Sequence, residues 1–282
     1  MPYYTLPSTT VGAAFGRSTT LKVPNAFDPR KTYPLLVLLH NYGSTGAGLQ
    51  TRLGLAGAPQ MDDGVIIFAP NATLTDGGAN TYWNYWNTAA GDFQFINDTV
   101  AEIKANWPVS WVAGLGYSNG GFMTIQLAIQ YPSLFHAMFT HAAAAGVNDP
   151  VTPAAYTIPH FHYHGSIDAT VLPAGDATGA TLPGSLSGHG GVGSVGYTST
   201  TVTVSQSNAR NGGAGSLGAA GAAFDYVTDV GGSETTAQAY SGTTSQSAVE
   251  LWTGTGANHG MTIASQKGGL ILSKLRANHR TP

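Results

Sequence analysis

A chain of 282 residues, 42% of them apolar, can bury a large core, and no linker-like stretch divides it, so one enlarged catalytic domain over residues 1–282 is predicted. Charged residues are only 9% of the chain and the net charge is −3 without an Arg/Lys run, while no apolar stretch is long enough to span a bilayer; neither nucleic acid nor a membrane is an expected partner. With no cysteine, disulfides, zinc-thiolate sites and a cysteine nucleophile are excluded.

Taken in chain order, short apolar runs alternate with helical patterns. Residues 33–40 and 65–70 read as buried strands. Residues 92–104 follow as a helix with an acidic start, a basic end and apolar residues at helical spacing. The run 109–116 predicts another strand, 121–130 an uncharged helix, and 135–142 and 159–165 two further strands. Residues 173–194 carry seven glycines without periodicity and predict a long loop. Thr and Val dominate 200–211, which reads as strand or helix with helix preferred, and 212–221 is a second Gly/Ala-rich loop. A late strand at 248–252 precedes a final helix from about 262 to 278, with Leu270, Ile271 and Leu275 on its buried side. The alternation predicts an α/β fold, a mostly parallel central sheet covered by helices on both faces.

Between the strand at 109–116 and the helix after it stands Gly116-Tyr117-Ser118-Asn119-Gly120. A serine on a sharp strand-to-helix turn, flanked by small residues that let the turn close, is a nucleophile elbow. Such a pentapeptide also occurs by chance in Gly-rich turns; the strand before it and the apolar helix after it select Ser118 as a candidate nucleophile.

A serine hydroxyl is a poor nucleophile near neutral pH, so it needs a base within hydrogen-bond reach and a carboxylate to fix the tautomer of that base. In this strand-turn-helix architecture the chain order is serine, acid, histidine. Of the histidines beyond Ser118, His259 lies in a loop between the last strand and the last helix and is the candidate base. Asp168 follows the strand at 159–165, at the carboxyl end of the sheet where the serine also emerges, and is the candidate acid. Asp149, in a Gly-Val-Asn-Asp-Pro turn, is the second choice, and Asp176 sits in the glycine-rich loop. The expected oxyanion donors are the backbone N–H of Asn119 and that of Tyr42 in His40-Asn41-Tyr42-Gly43.

Two other patterns have competing readings. His160, His162 and His164 alternate and share one face of a strand, which raises a metal site; a buried strand without accompanying carboxylates favours core histidines, so no metal and no organic cofactor are expected. The cluster Tyr82-Trp83-Asn84-Tyr85-Trp86 fits core packing and a substrate platform about equally. On the platform reading, Trp86 joins Tyr42 and Tyr117 as candidate substrate contacts.

Several segments together resemble the polyhydroxybutyrate-depolymerase-like esterases, a branch of the α/β-hydrolase fold that includes feruloyl and acetylxylan esterases. They are Leu38-Leu39-His40-Asn41-Tyr42-Gly43, Trp86-Asn87 with Asp92-Phe93-Gln94-Phe95-Ile96, the elbow running into Gly121-Phe122-Met123, Tyr131-Pro132-Ser133-Leu134-Phe135, His164-Gly165-Ser166-Ile167-Asp168, Asn211-Gly212, and Val249-Glu250-Leu251-Trp252 before His259. The resemblance implies an α/β-hydrolase fold with Ser118 as nucleophile, Asp168 as acid and His259 as base. It departs where the family often has a cysteine after the Asn-Gly pair and an aromatic-proline pair after the histidine; here Gly213 and Gly260-Met261 stand in those places.

The function implied is a serine carboxylic-ester hydrolase, acting on a polyester or on esters of plant polysaccharide, with the polyester narrowly preferred because an uncharged protein surface and aromatic residues suit an apolar, uncharged polymer. A peptidase resembles the branch less, and a catalytically silent binding module on this scaffold would have lost one of the three residues. Any polymer is expected to be held by the catalytic domain itself, and a monomer is the expected state. The uncharged, Gly/Ser/Thr/Asn-rich composition favours an extracellular protein, although the segment Met1-Pro2-Tyr3-Tyr4 shows no export signal.

Overall fold

The computed structural model describes residues 7–55, 64–75, 77–89, 91–178, 182, 196–264 and 267–282. Its strands, in chain order, are β1 (Thr10–Val11), β2 (Thr19–Thr20), β3 (Tyr33–Leu39), β4 (Ile66–Phe68), β5 (Leu74–Thr75), β6 (Thr81–Tyr82), β7 (Val109–Tyr117), β8 (Ala137–His141), β9 (His160–Gly165), β10 (Thr235–Ala239) and β11 (Val249–Gly254). The helices are α1 (Gly46–Arg52), α2 (Gly91–Asn106), α3 (Asn119–Gln130), α4 (Thr200–Arg210) and α5 (Gly268–Ala277).

A seven-stranded sheet runs in the order β10-β11-β9-β8-β7-β3-β4, and every pairing in it is parallel except that of β10 with β11. Two small antiparallel ribbons, β1 with β2 and β5 with β6, stand apart from it. The sequence of β3 explains its central place: Tyr-Pro-Leu-Leu-Val-Leu-Leu is buried at every position, as a strand covered on both faces must be. Leu35, Val37 and Leu39 pack on one face with Phe93, Ile96 and Val100 of α2 and Phe122 and Met123 of α3. Leu36 and Leu38 pack on the other with Leu49 of α1 and Ile271, Leu272 and Leu275 of α5. Each such buried side chain contributes about 1.5–3 kcal/mol relative to exposure, so the two-sided cover holds the sheet rigid beneath its carboxyl edge. Among the described residues, no helix is long and apolar enough to cross a membrane.

Segment 200–211 resolves to a helix, α4, which starts where Ser199 Oγ accepts a hydrogen bond from Val202 N–H. Besides the four strands of the small ribbons, β10 and α1 escape the sequence patterns. β10, Thr-Thr-Ala-Gln-Ala, is an edge strand with three half-buried central residues, so it needs no apolar run. α1 is a short, glycine-containing helix started by the Thr45 hydroxyl, which accepts from Gly48 N–H. The final helix begins at Gly268 rather than near 262, because Ile263 is drawn into an antiparallel bridge with Val227. Its buried side is Gly268, Ile271, Leu272 and Leu275, and Leu270 is only partly buried. Of the glycine-rich stretch 173–194, residues 179–181 and 183–194 lie outside the described residues.

Candidate active site

Ser118, the last residue before α3, has φ 52° and ψ −121°, in the left-handed half of backbone space that a residue with a side chain enters only under constraint. The constraint comes from both sides. Its N–H donates to the His141 carbonyl at the end of β8, at 2.8 Å, and its carbonyl accepts the first bond of α3 from Phe122 N–H, at 2.9 Å. Gly120 makes the geometry possible: a Cβ there would lie 1.9 Å from the Leu39 carbonyl oxygen and 2.5 Å from that of His40. Only a bare Cα lets the start of α3 press against the end of β3. The outcome is a serine that is 6% exposed, with its hydroxyl held above the carboxyl edge of the sheet.

His259 lies in the loop after β11, and its Nε2 is 2.9 Å from Ser118 Oγ. Its Nδ1 is 2.8 Å from Asp168 Oδ2, so Nδ1 carries the proton donated to the carboxylate and Nε2 faces the serine hydroxyl as an acceptor. The other oxygen of Asp168, Oδ1, accepts from the N–H groups of Thr170 and Val171, both at 2.9 Å. Burial raises the Asp168 pKa, but hydrogen bonds from His164 and His259 outweigh it and hold the carboxyl well below its ordinary value, so it is a carboxylate near neutral pH.

The acid turn and the base loop are laced together along the backbone. Ser166 N–H donates to the Gly254 carbonyl, Ile167 N–H to that of Ala257, and Gly256 N–H to Ser166 Oγ. Gly165 allows the approach, since a Cβ there would meet the Ala257 carbonyl oxygen at 2.3 Å. From the other side, Arg52 of α1 donates to the carbonyls of Gly260 and Met261 at 3.2 and 2.8 Å, and the Tyr117 hydroxyl donates to the His259 carbonyl.

That last bond corrects the expectation for Tyr117. It is 1% exposed beneath the base loop, with the Arg52 guanidinium 4.8 Å over its ring, and burial pushes its phenol up to about 12. Side chains alternate along a strand, and at the end of β7 this one points into the core, where it supports His259 and cannot meet substrate.

Asn119 follows the serine, and the start of α3 presses on the carbonyls of Leu39 and His40, two residues before Tyr42. Asn119 opens α3, where the first N–H groups of a helix have no intrahelical acceptor and the helix dipole favours negative charge. Its side chain forms a two-way clamp on Trp83, accepting from the Trp83 N–H at 2.7 Å and donating to the Trp83 carbonyl at 2.9 Å. Trp83 Nε1 in turn donates to the His40 carbonyl at 3.0 Å, just before Tyr42. His40 is itself fixed, its Nδ1–H donating to the Asn41 carbonyl and its Nε2 accepting from Ala72 N–H. Burial lowers its pKa, against the hydrogen bond to Asn41, and keeps the ring neutral. None of this support was legible beforehand, because an Asn paired with a main chain 36 residues away leaves no spacing signal.

The aromatic cluster divides between both readings. Tyr82, Trp83 and Tyr85 are core residues, 4% exposed or less, whereas Trp86 is half-buried. Rings run in contact from the half-buried Tyr42 through Tyr82, Trp86, Tyr85 and Phe122 to Tyr197, with centroid separations of 4.8–6.2 Å. Asp149 and Asp176 are engaged elsewhere. Asp149 Oδ2 accepts from Gly146 N–H and Gln126 Nε2, and Asp176 Oδ1 from Thr178. His160, His162 and His164 are all buried, their ring nitrogens engaged in hydrogen bonds.

No protein-family model matches the chain. The chain is 28% identical over 163 residues to "Feruloyl esterase C" of Emericella nidulans and, to the same extent, to "Probable feruloyl esterase C" of Aspergillus niger. Each match covers 49% of this chain and 57% of the relative, so the chain spans little more than half the length of these curated proteins. Among solved structures, the acetyl xylan esterase from Aspergillus awamori superposes with a TM-score of 0.61 at 16% identity, over 92% of this chain and 94% of that one. The fold is that of the α/β-hydrolases.

Proposed function

We propose that the protein is a serine carboxylic-ester hydrolase working through an acyl-enzyme, with Ser118 as nucleophile, His259 as base and Asp168 as the acid that orients it. The observation that carries this reading is the unbroken line from Asp168 Oδ2 through both nitrogens of His259 to Ser118 Oγ, at 2.8 and 2.9 Å, ending on a strained elbow. As Oγ attacks the ester carbonyl, Nε2 of His259 takes its proton, and the imidazolium formed is stabilised by the Asp168 carboxylate. Charge developing on the carbonyl oxygen is met by the backbone N–H groups of Asn119 and Tyr42. Collapse of the tetrahedral species returns the proton to the departing alkoxide and leaves the acyl group on Ser118; water then repeats the sequence with His259 again as base.

For the substrate, two readings stand on separate observations. The uncharged composition and the rings from Tyr42 to Trp86 suit a polyester such as polyhydroxybutyrate. The relatives named feruloyl esterases support the alternative, an ester carried on plant polysaccharide, whose aromatic acyl group the same rings could stack against. Comparing hydrolysis of a short p-nitrophenyl ester, a polyester film and methyl ferulate distinguishes the two. An extracellular setting is part of this proposal and rests on the uncharged, Gly/Ser/Thr/Asn-rich composition.

Trp86 separates substrate binding from fold support. Its ring stacks on Tyr82 at 6.0 Å and meets Tyr85 edge-on at 4.9 Å while staying half-buried. Trp86→Ala is expected to lower kcat/KM on the preferred polymeric or aromatic ester at least tenfold, about 1.4 kcal/mol, and to leave p-nitrophenyl acetate within about twofold. Equal losses on both esters would assign Trp86 to the fold.

A further inference from the structure

The alternating histidines of β9 form a continuous hydrogen-bonded chain that ends at the acid turn. Arg210 Nη2 lies 3.1 Å from Ser207 Oγ, which lies 2.8 Å from His160 Nδ1. His160 Nε2 is 2.7 Å from Thr140 Oγ1, and Thr140 Oγ1 is 2.8 Å from His162 Nδ1. His162 Nε2 faces His164 Nδ1 at 3.3 Å, and His164 Nε2 lies 2.7 Å from the Val171 carbonyl and 3.4 Å from Asp168 Oδ2. The three rings are at most 2% exposed, so the chain is shut off from bulk solvent.

The polarity of the chain is assigned from its Val171 end. A carbonyl oxygen only accepts, so His164 Nε2 carries a proton, and we assign His164 Nδ1 as the acceptor of His162 Nε2–H. His162 Nδ1 then accepts from the Thr140 hydroxyl, Thr140 Oγ1 from His160 Nε2–H, and His160 Nδ1 from the Ser207 hydroxyl at 2.8 Å, in preference to the longer 3.2 Å approach of that hydroxyl to the Thr203 carbonyl. Arg210 Nη2 donates to Ser207 Oγ at the far end of the chain. Burial pushes His160 down to about 3 and His162 well below the ordinary imidazole value, so both rings hold a single proton. Every donor in the chain therefore points toward Asp168, and each bond polarises the next in a low-dielectric interior.

We propose that His164, oriented by this chain, is a positioning residue for Asp168. Its Nε2–H donates to the Val171 carbonyl at 2.7 Å and lies 3.4 Å from Asp168 Oδ2 as a close charge contact, while Val171 N–H holds Oδ1. The turn 168–171 is thus held through both main-chain groups of Val171, its N–H by the carboxylate and its carbonyl by His164. Packing alone would make the same demand on volume but none on a donor at that place.

This proposal rests on the ester-hydrolase reading for its kinetic arm, and a second arm is independent of it. His164→Phe keeps a ring but no donor and is expected to lower kcat for p-nitrophenyl acetate about 30- to 100-fold with KM within about twofold. His164→Gln places an amide N–H near the lost Nε2 and should stay within about fivefold of the parent. Phe and Gln variants with equal kcat would overturn the proposal. In an Asp168→Asn background, where no carboxylate remains to be positioned, His164→Phe should cost less than about threefold; the full loss there would also overturn it. If His164→Phe does not fold, Thr140→Val interrupts the chain two links away and should lower kcat about three- to tenfold at unchanged KM, and unchanged kcat would count against the chain. The arm free of activity is ring ¹⁵N NMR at pH 7. His160, His162 and His164 are all expected to carry their proton on Nε2, and an Nδ1–H form at any of them would contradict the assigned polarity whether or not the protein hydrolyses esters.

Discussion

Ser118→Ala is expected to abolish ester hydrolysis, with a loss in kcat on the order of 10⁶, or about 8 kcal/mol of transition-state stabilisation. The size follows from the way the three groups act as a unit: without Oγ there is no acyl-enzyme, and the proton that His259 Nε2 is placed 2.9 Å away to accept no longer exists. The fold should be untouched, because one oxygen is removed while the bonds from Ser118 N–H to His141 and from Phe122 N–H to Ser118 remain. Kinetics on a p-nitrophenyl ester beside a thermal melt check both halves. A folded variant retaining a tenth of parental activity would remove Ser118 from the mechanism.

Asp168→Asn is expected to cost on the order of 10⁴ in kcat. An amide donor facing His259 Nδ1 would push the imidazole toward the wrong tautomer, with its proton on the side of the serine. Asp149→Asn should stay within about tenfold of the parent, because that carboxylate closes a turn through Gly146 and Gln126 and touches neither Ser118 nor His259. A reversed ranking would show that the wrong carboxylate had been chosen. The same substitution has a signature in stability. The Asp168 carboxyl is held below its ordinary 3.8 in the folded chain, so the ion stabilises the fold fully above that value. That contribution is lost as pH falls through the folded value. The stability difference between parent and Asp168→Asn should therefore be constant near neutrality and change only below about pH 4.

The residues that carry the proposed chemistry were legible because each sits where a continuous pattern breaks. Ser118 interrupts an apolar strand with a Gly-flanked turn, and Asp168 and His259 follow strands whose apolar runs are themselves readable. Support for those residues was far less legible. Tyr117 was expected at the substrate because it adjoins the serine in sequence, but strand alternation turns it inward, and its bond to His259 spans 142 residues. The clamp of Asn119 on Trp83 joins two main-chain groups to one amide and leaves no trace in spacing or hydropathy. β10 and α1 escaped for a related reason, since an edge strand and a short capped helix bury too little apolar surface to imprint a period. From sequence alone, the triple histidine of β9 reads as core packing. That reading described its burial and missed its directed hydrogen bonds, which depend on Thr140 and Ser207 from two other elements.

The most direct test of the central claim is covalent capture of the nucleophile. The protein would be incubated with one equivalent of a fluorophosphonate, digested and sequenced by mass spectrometry. The account predicts a single phosphonylated site, Ser118, formed in step with the loss of ester hydrolysis and absent from Ser118→Ala and, at the same exposure, nearly absent from His259→Ala. Stoichiometric modification of any other residue, or full ester hydrolysis by a protein already phosphonylated at Ser118, would contradict it.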